Sequence, residues 1–199
     1  MSQLKDEAGF RSNRSTADPL HTLYQLKEKT TEFNIPLSLA FIDFEKAFDS
    51  VEITAVTNAL REQQIHPKYI NTLESICKSS TSTIRLEREG PAFDIRRGVR
   101  QGDSISPKLL ISCLESIFSK LNWNNKGYGI QIDDDQKISN LRFPDDIVLI
   151  AKNHSELQNM IMELHEQSGK VGLKMNQGKT KVMLSKLTPT TNIQIDDKV

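Results

Sequence analysis

The side chains best suited to chemistry in this chain are aspartates set at the margins of apolar runs. Asp43 closes the run over residues 37–44, and Asp145-Asp146 separates Leu141-Arg142-Phe143 from Ile147-Val148-Leu149-Ile150. A carboxylate at the end of a buried strand emerges at the sheet edge. Neighbouring aspartates inside a strand would point to opposite faces, but at a hairpin tip both can reach the same end of the sheet. Carboxylate oxygens suit hard divalent cations such as Mg2+, which leave further positions for water or phosphate. Two such ions about 3.5–4 Å apart can activate an attacking hydroxyl and stabilise a leaving pyrophosphate. One strand-end and two hairpin-tip carboxylates would suffice to hold them. Each has a plainer reading as well: Asp43 as a cap on the next turn, and Asp145-Asp146 as a solvated turn.

Between the acids lies Arg97-Gly98-Val99-Arg100-Gln101-Gly102-Asp103-Ser104-Ile105-Ser106-Pro107. Two glycines within five residues let backbone N–H groups come close to a ligand. The loop feeds a helix N-terminus, which favours anions, and its arginines supply counter-charge for phosphate. An ordinary turn before a helix is the plainer alternative.

The elements that must position these residues alternate between helix and strand. Asp18-Pro19 reads as an N-cap followed by a proline in the first turn, with Leu20, Leu23, Tyr24 and Leu26 forming one helical face before Pro36. A buried strand is predicted over 37–44, then helices over 51–64 and 67–78. A hairpin is predicted from strands 83–86 and 93–96 around Glu89-Gly90-Pro91. Ser106-Pro107 repeats the cap-and-proline device ahead of a helix whose apolar side holds Leu109, Leu110, Cys113, Leu114, Ile117, Phe118 and Leu121. Strands over 138–143 and 147–151 flank the paired aspartates. Ser155 with Gln158 matches a capping box for a helix running to about 170, and 181–185 is a last strand. The class is α+β: an antiparallel sheet with a central hairpin, packed on helices.

Composition narrows the function. The chain has 199 residues with 26 basic and 26 acidic side chains, so its net charge is zero; that argues against an all-over nucleic-acid coat. Locally, 85–100 holds five arginines against Glu87, Glu89 and Asp94. No apolar run reaches the roughly 18 residues that span a bilayer, and the start lacks a secretory pattern, so an intracellular protein of nucleus or cytoplasm is expected, with no membrane partner. Cys77 and Cys113 have neither a partner pattern nor zinc-ligand spacing and read as buried small apolar residues.

The motifs together resemble those of reverse transcriptases of the non-LTR (LINE-type) retrotransposon family, in the family's order from residue 8 to about 185. Phe41-Ile42-Asp43-Phe44-Glu45-Lys46-Ala47-Phe48-Asp49 resembles the first catalytic motif. Gly98-Val99-Arg100-Gln101-Gly102-Asp103 with Ser106-Pro107 resembles the second, and Phe143-Pro144-Asp145-Asp146 is similar to the Phe-Ala-Asp-Asp hairpin. Gly172-Leu173-Lys174-Met175-Asn176 with Lys179-Thr180-Lys181 resembles the lysine-bearing motif. Ala8-Gly9-Phe10-Arg11 through Arg14-Ser15-Thr16 matches the junction of fingers and palm.

The resemblance implies a polymerase-type palm over 18–187, a junction remnant over 1–17 and a tail of unassigned character over 188–199. It implies Asp43, Asp145 and Asp146 as catalytic, metal-binding carboxylates for two Mg2+ ions, with Mn2+ able to substitute. Phe48 would be the aromatic gate against a ribose 2′-OH, Gln101 and Gly102 would line the nucleotide and template pocket, and Lys179 would approach the triphosphate as an acid for pyrophosphate. Arg11, Arg14, Arg97 and Arg100 are the expected nucleic-acid contacts. The implied partners are an RNA template, a DNA primer and dNTPs. Fingers strands, thumb and endonuclease are not recognised in this span, so a truncated palm of weak or lost activity is expected, with other chains as one source of fingers and thumb. Pro144 stands where the family usually has Ala. Alternatives are a non-catalytic nucleic-acid-binding remnant and another palm-type phosphotransferase such as a nucleotide cyclase; Gln101-Gly102 and Ala47-Phe48-Asp49 argue against the latter.

Overall fold

In the computed structural model, the described residues are 17–85, 87, 90–133, 136–143, 146–185 and 187–188. They fold as α1 (Ala17–Glu32), β1 (Ser38–Ile42), α2 (Ala47–Ser50), α3 (Ile53–Glu62), α4 (Pro67–Lys78), β2 (Thr81–Ser82) and β3 (Phe93–Asp94). There follow α5 (Ser106–Leu121), α6 (Trp123–Lys126), β4 (Ile130–Asp133), β5 (Gln136–Ile138), β6 (Asn140–Phe143), β7 (Asp146–Ala151), α7 (His154–Gly169) and β8 (Lys181–Leu184).

The main sheet has the order β6-β7-β1-β8, and every neighbouring pair in it is antiparallel. Side chains alternate between its faces, and both faces are covered. Ala40, Ile42, Ile147, Leu149 and Ala151 join the larger core with Val56 of α3, the apolar side of α5, and Leu157, Met160, Ile161 and Leu164 of α7. Leu39 and Ile150 face the other way, into a smaller core with Leu37, Leu141, Leu26 of α1 and Ile130 and Ile138 of β4 and β5. Fully burying one such side chain contributes about 1.5–3 kcal/mol. This two-sided burial is why β1 and β7 read as near-continuous apolar runs.

All seven residues assigned to the apolar side of α5 are buried, as its helical period requires. Other expectations shift. Ser106 is the first residue of α5, not its cap: its hydroxyl donates to the Arg100 carbonyl at 2.6 Å, so it serves the loop, and Ile105 is the cap position. The cap of α7 is Asn153, whose side chain accepts from Glu156 N at 2.8 Å; Asn-x-x-Glu two residues upstream outcompetes Ser155. Asp18 lies within α1 as described, with Pro19 in its first turn. The β2–β3 ribbon pairs Thr81 with Asp94 and Ser82 with Phe93, so its first strand lies earlier than 83–86. The run over 138–143 breaks at buried Ser139, whose carbonyl accepts from Ile150 N; β5 turns back onto β4 and β6 onto β7. Cys113 is buried but Cys77 only half-buried. Burial pushes the Cys113 thiol up to about 11.

Leu149 has no exposed surface, whereas Met183 on edge strand β8 is half exposed. Leu149→Ala should therefore cost about 2–5 kcal/mol and Met183→Ala within about 0.5 kcal/mol. Urea denaturation of the two variants measures the contrast.

Candidate active site

The register of β1 on β7 pairs Ile42 with Ile147. That register, continued one step beyond the end of β1, would set Asp43 across from Asp146. Opposed residues in an antiparallel pair have Cα atoms about 4.5–5.5 Å apart and side chains on one face. Residues far apart in the chain thus arrive together at one end of the sheet. Phe143 pairs with Asp146 across β6 and β7, which leaves two residues, Pro144 and Asp145, to connect the strands. Both lie outside the described residues, as do Arg11 and Arg14.

Asp43 is anchored through its main chain. Its carbonyl accepts from Asn176 N at 2.8 Å, while Glu45 N donates to the Lys174 carbonyl at 2.8 Å. Phe44 and Met175 form a β-bridge between these bonds. The side chain of Asp43 is differently placed. Its Oδ2 is shut off from solvent without a hydrogen-bond partner among the described residues, and Lys179 Nζ stands 3.6 Å away. Lys179 is held by its own backbone N–H, which donates to Asn176 Oδ1 at 3.2 Å.

Beside this corner opens a groove of about 730 Å3 lined by Phe44, Glu45, Lys46, Ser50, Arg97, Gly172, Lys174, Asn176 and Lys179. Four cations face one acid there, so the groove suits a polyanion. Lys174 reaches Glu45 at 3.2 Å. Sequence reasoning singled out Lys179 and Arg97 but missed Lys46, Lys174 and Asn176 as site residues. The available signal was the alternation Leu173-Lys174-Met175-Asn176: Leu173 and Met175 are buried in the core, which turns the polar pair between and after them outward.

Phe48 sits in α2, partly buried against the larger core. This single turn is gripped from two sides. Gly98, at φ +88°, packs so closely that a Cβ there would meet the Asp49 carbonyl oxygen at 2.7 Å, and Gly172, at φ +81°, would likewise meet the Ser50 carbonyl oxygen at 2.7 Å. Gly98 N donates to Val51 O at 2.8 Å, Val99 N to Phe48 O at 2.6 Å, and Glu52 N to Val171 O at 2.9 Å. The expectation that Gly98 brings backbone towards a ligand is thereby corrected: its missing side chain admits the protein's own α2. Gly102, at φ +86°, has nothing within 4 Å of a would-be Cβ and remains free to meet a ligand.

Gln101 and Arg100 are exposed and line a separate cavity of about 500 Å3 walled by Leu73, Ile76, Phe93, Ile95 and Leu109; Arg97 borders both this cavity and the basic groove. The structure brings Asp43, Asp146 and Lys179 to one corner and sets Gln101 and Gly102 on the neighbouring loop.

For a divalent cation, the fit is favourable. The donors are hard carboxylate oxygens, and Asp43 Oδ2 is a buried acceptor with no hydrogen bond to lose. Among the described residues no group of three or more His, Cys, Asp or Glu side chains is arranged to hold a metal; Asp145, the third carboxylate of the expected set, is outside them. Among the same residues no helix is long and apolar enough to cross a membrane.

The family described as reverse transcriptase (RNA-dependent DNA polymerase) matches residues 3–195. The Retrovirus-related Pol polyprotein from type-1 retrotransposable element R2 of Nasonia vitripennis is 31% identical over 140 residues, 70% of this chain and 13% of that protein. Its namesake from Popillia japonica is 35% identical over 117 residues, 56% of this chain and 16% of that protein. The chain therefore spans well under a fifth of these relatives' length. Among solved structures, telomerase from Candida tropicalis with a fragment of telomeric RNA superposes with a TM-score of 0.67 at 16% identity, over 91% of this chain and 30% of that one. At that identity the likeness is one of fold, a polymerase-type palm.

If α2 depends on close backbone approach, Gly98→Ala should cost about 3 kcal/mol or more, since the left-handed strain of about 1–3 kcal/mol adds to a clash with backbone that cannot swing away. Gly102→Ala, strained but unobstructed, should cost about 1 kcal/mol. Urea unfolding compares them; equal losses would contradict the grip.

Proposed function

This chain belongs to the reverse transcriptase (RNA-dependent DNA polymerase) family, and we propose that residues 18–187 form the palm of an RNA-directed DNA polymerase that extends a DNA primer on an RNA template. The observation that supports the reading is the register of β1 against β7, whose last pair, Ile42 with Ile147, puts the next residues, Asp43 and Asp146, at the same sheet end as Lys179 of the basic groove. The family uses divalent metal ions. Asp43, Asp145 and Asp146 are the carboxylates that would hold them here, and the ions would supply activation of the attacking hydroxyl and charge stabilisation of the leaving group.

The rest of the reaction is positioning and charge. The primer 3′-oxygen forms a bond to the α-phosphorus of the incoming dNTP, the bond from that phosphorus to the pyrophosphate oxygen breaks, and the hydroxyl proton passes to water. Lys46, Arg97, Lys174 and Lys179 line the groove that would receive the triphosphate. Lys179 can supply the proton that the departing pyrophosphate takes up. Phe48 is the candidate for sensing the sugar, on a turn too tightly gripped to yield to an added 2′-OH. Gln101 and Gly102 would meet the base pair, and Arg11, Arg14, Arg97 and Arg100 the nucleic-acid backbone.

Primer extension on an RNA template with Mg2+ and dNTPs tests the reading. Extension abolished by Asp43→Asn and by Asp145→Ala is the expected result; incorporation that survives both would falsify it.

The second reading, a binding remnant without turnover, rests on Pro144. A two-residue hairpin turn of the favoured primed types demands positive φ at its first central residue, and proline is fixed near −65°. Such a conflict would fall on the aim of the carboxylates, where about 1 Å of error costs on the order of 100-fold in rate. Pro144→Ala should accordingly raise the extension rate by about 100-fold. Equal rates would show that the hairpin accommodates the proline.

A further inference from the structure

We propose that Lys179 is a built-in counter-ion for Asp43, one that holds the carboxylate until a divalent cation arrives and is then released into the basic groove. The inference rests on the reading of Asp43 as a metal ligand and concerns what occupies it beforehand.

Three observations carry it. Asp43 Oδ2 is shut off from solvent with no hydrogen-bond partner among the described residues, and Lys179 Nζ, 3.6 Å away, is the cation paired with it. That gap is beyond hydrogen-bonding reach, so the pair is a Coulombic contact without a directional bond to break. Second, the lysine's backbone is tied to the residue its side chain neutralises. Asn176 N donates to Asp43 O at 2.8 Å and Thr180 N to Asn176 O at 2.8 Å, and Lys179 N donates to Asn176 Oδ1. The turn stays in place while the side chain, 71% exposed, is free to move on its four-carbon stem. Third, Lys179 also lines the groove with Lys46, Arg97 and Lys174, so leaving Asp43 delivers its ammonium to the place a phosphate would occupy.

Lysine suits this role better than arginine. It is a compact point charge with rotatable donors, whereas a guanidinium would grip a carboxylate bidentately. Although Oδ2 itself is covered, Lys179 is 71% exposed and Asp43 33%, so solvent screens much of the attraction and the pair is weak enough for a divalent ion to displace. Occupation of Asp43 by a cation and filling of the groove by an anion then favour one another through a single side chain.

Mn2+ titration of the whole chain, with free ion read by electron paramagnetic resonance, tests the proposal without any turnover. Lys179→Gln should bind Mn2+ about two- to fivefold more tightly than wild type, the range that an exposed ion pair's contribution implies. Lys174→Gln removes an equal charge from the same groove, but one paired with Glu45, and should change affinity less. A Lys179→Gln affinity at or below wild type, or one matched by Lys174→Gln, overturns the proposal and leaves the metal reading standing. Mn2+ binding undiminished by Asp43→Asn would sink the metal reading and the counter-ion with it.

Discussion

The register between β1 and β7 is the constraint on which the site depends, and it is held from both faces of the sheet. Ile42 and Ile147 point into the larger core, while Leu39 and Ile150 point into the smaller one. A slip by one residue would exchange these sets and carry the aspartates to the wrong face along with them. Because helices and the β4–β5 hairpin cover the two sides, neither face tolerates the exchange. The core thereby specifies the polar end of the sheet, which adds nothing to the core's own stability. Two carboxylates at one sheet end repel each other, and apolar burial elsewhere helps to outweigh that cost.

A second constraint acts through backbone alone. Between the end of β1 and the start of α3 the chain must turn sharply, and α2 does so with Lys46 in the left-handed region at φ 46°. Such a short turn has little stability of its own. It is fixed by strands of loop laid against it, with Gly98 and Gly172 each close enough to exclude a methyl group. The segments following Gly98 and Gly172 lead respectively to the Gln101-Gly102 loop and to the Lys174–Lys179 turn. Three motifs separated in the chain are thus referenced to the same four residues, and a displacement of α2 would move the candidate sugar-sensing Phe48 and both flanking loops together.

What was legible in the sequence follows from what each signal physically means. The apolar side of α5 and the buried strands β1 and β7 could be read because burial imposes periodicity, and periodicity survives without knowledge of partners. The aspartates could be placed at strand ends, although their meeting required a register that no local pattern encodes. Caps were legible only as candidates: Asn153 and Ser155 are both good capping residues, and which one wins depends on where β7 delivers the chain. The role of Gly98 was misread because a glycine that meets a ligand and a glycine that meets a carbonyl look alike until the neighbour is known. The β4–β5 hairpin escaped notice because Gln131, Asp133, Gln136 and Lys137 dilute its apolar alternation to three isoleucines.

The neutral total charge also takes on a different meaning once positions are known. A polymerase palm must hold acids at its centre and still attract polyanions, and a chain with 26 charges of each sign can do both only by segregation. Lys46, Arg97, Lys174 and Lys179 gather on one groove, and Lys179 joins it to Asp43, 3.6 Å away. Each carboxylate in that corner therefore works against a local excess of positive charge, although the molecule as a whole has none. This placement lowers the cost of bringing Asp43 and Asp146 together, and it leaves the same cations available to a phosphate once the acids are otherwise neutralised. The cations that offset the acids at this corner are the same ones that make the groove suit a polyanion.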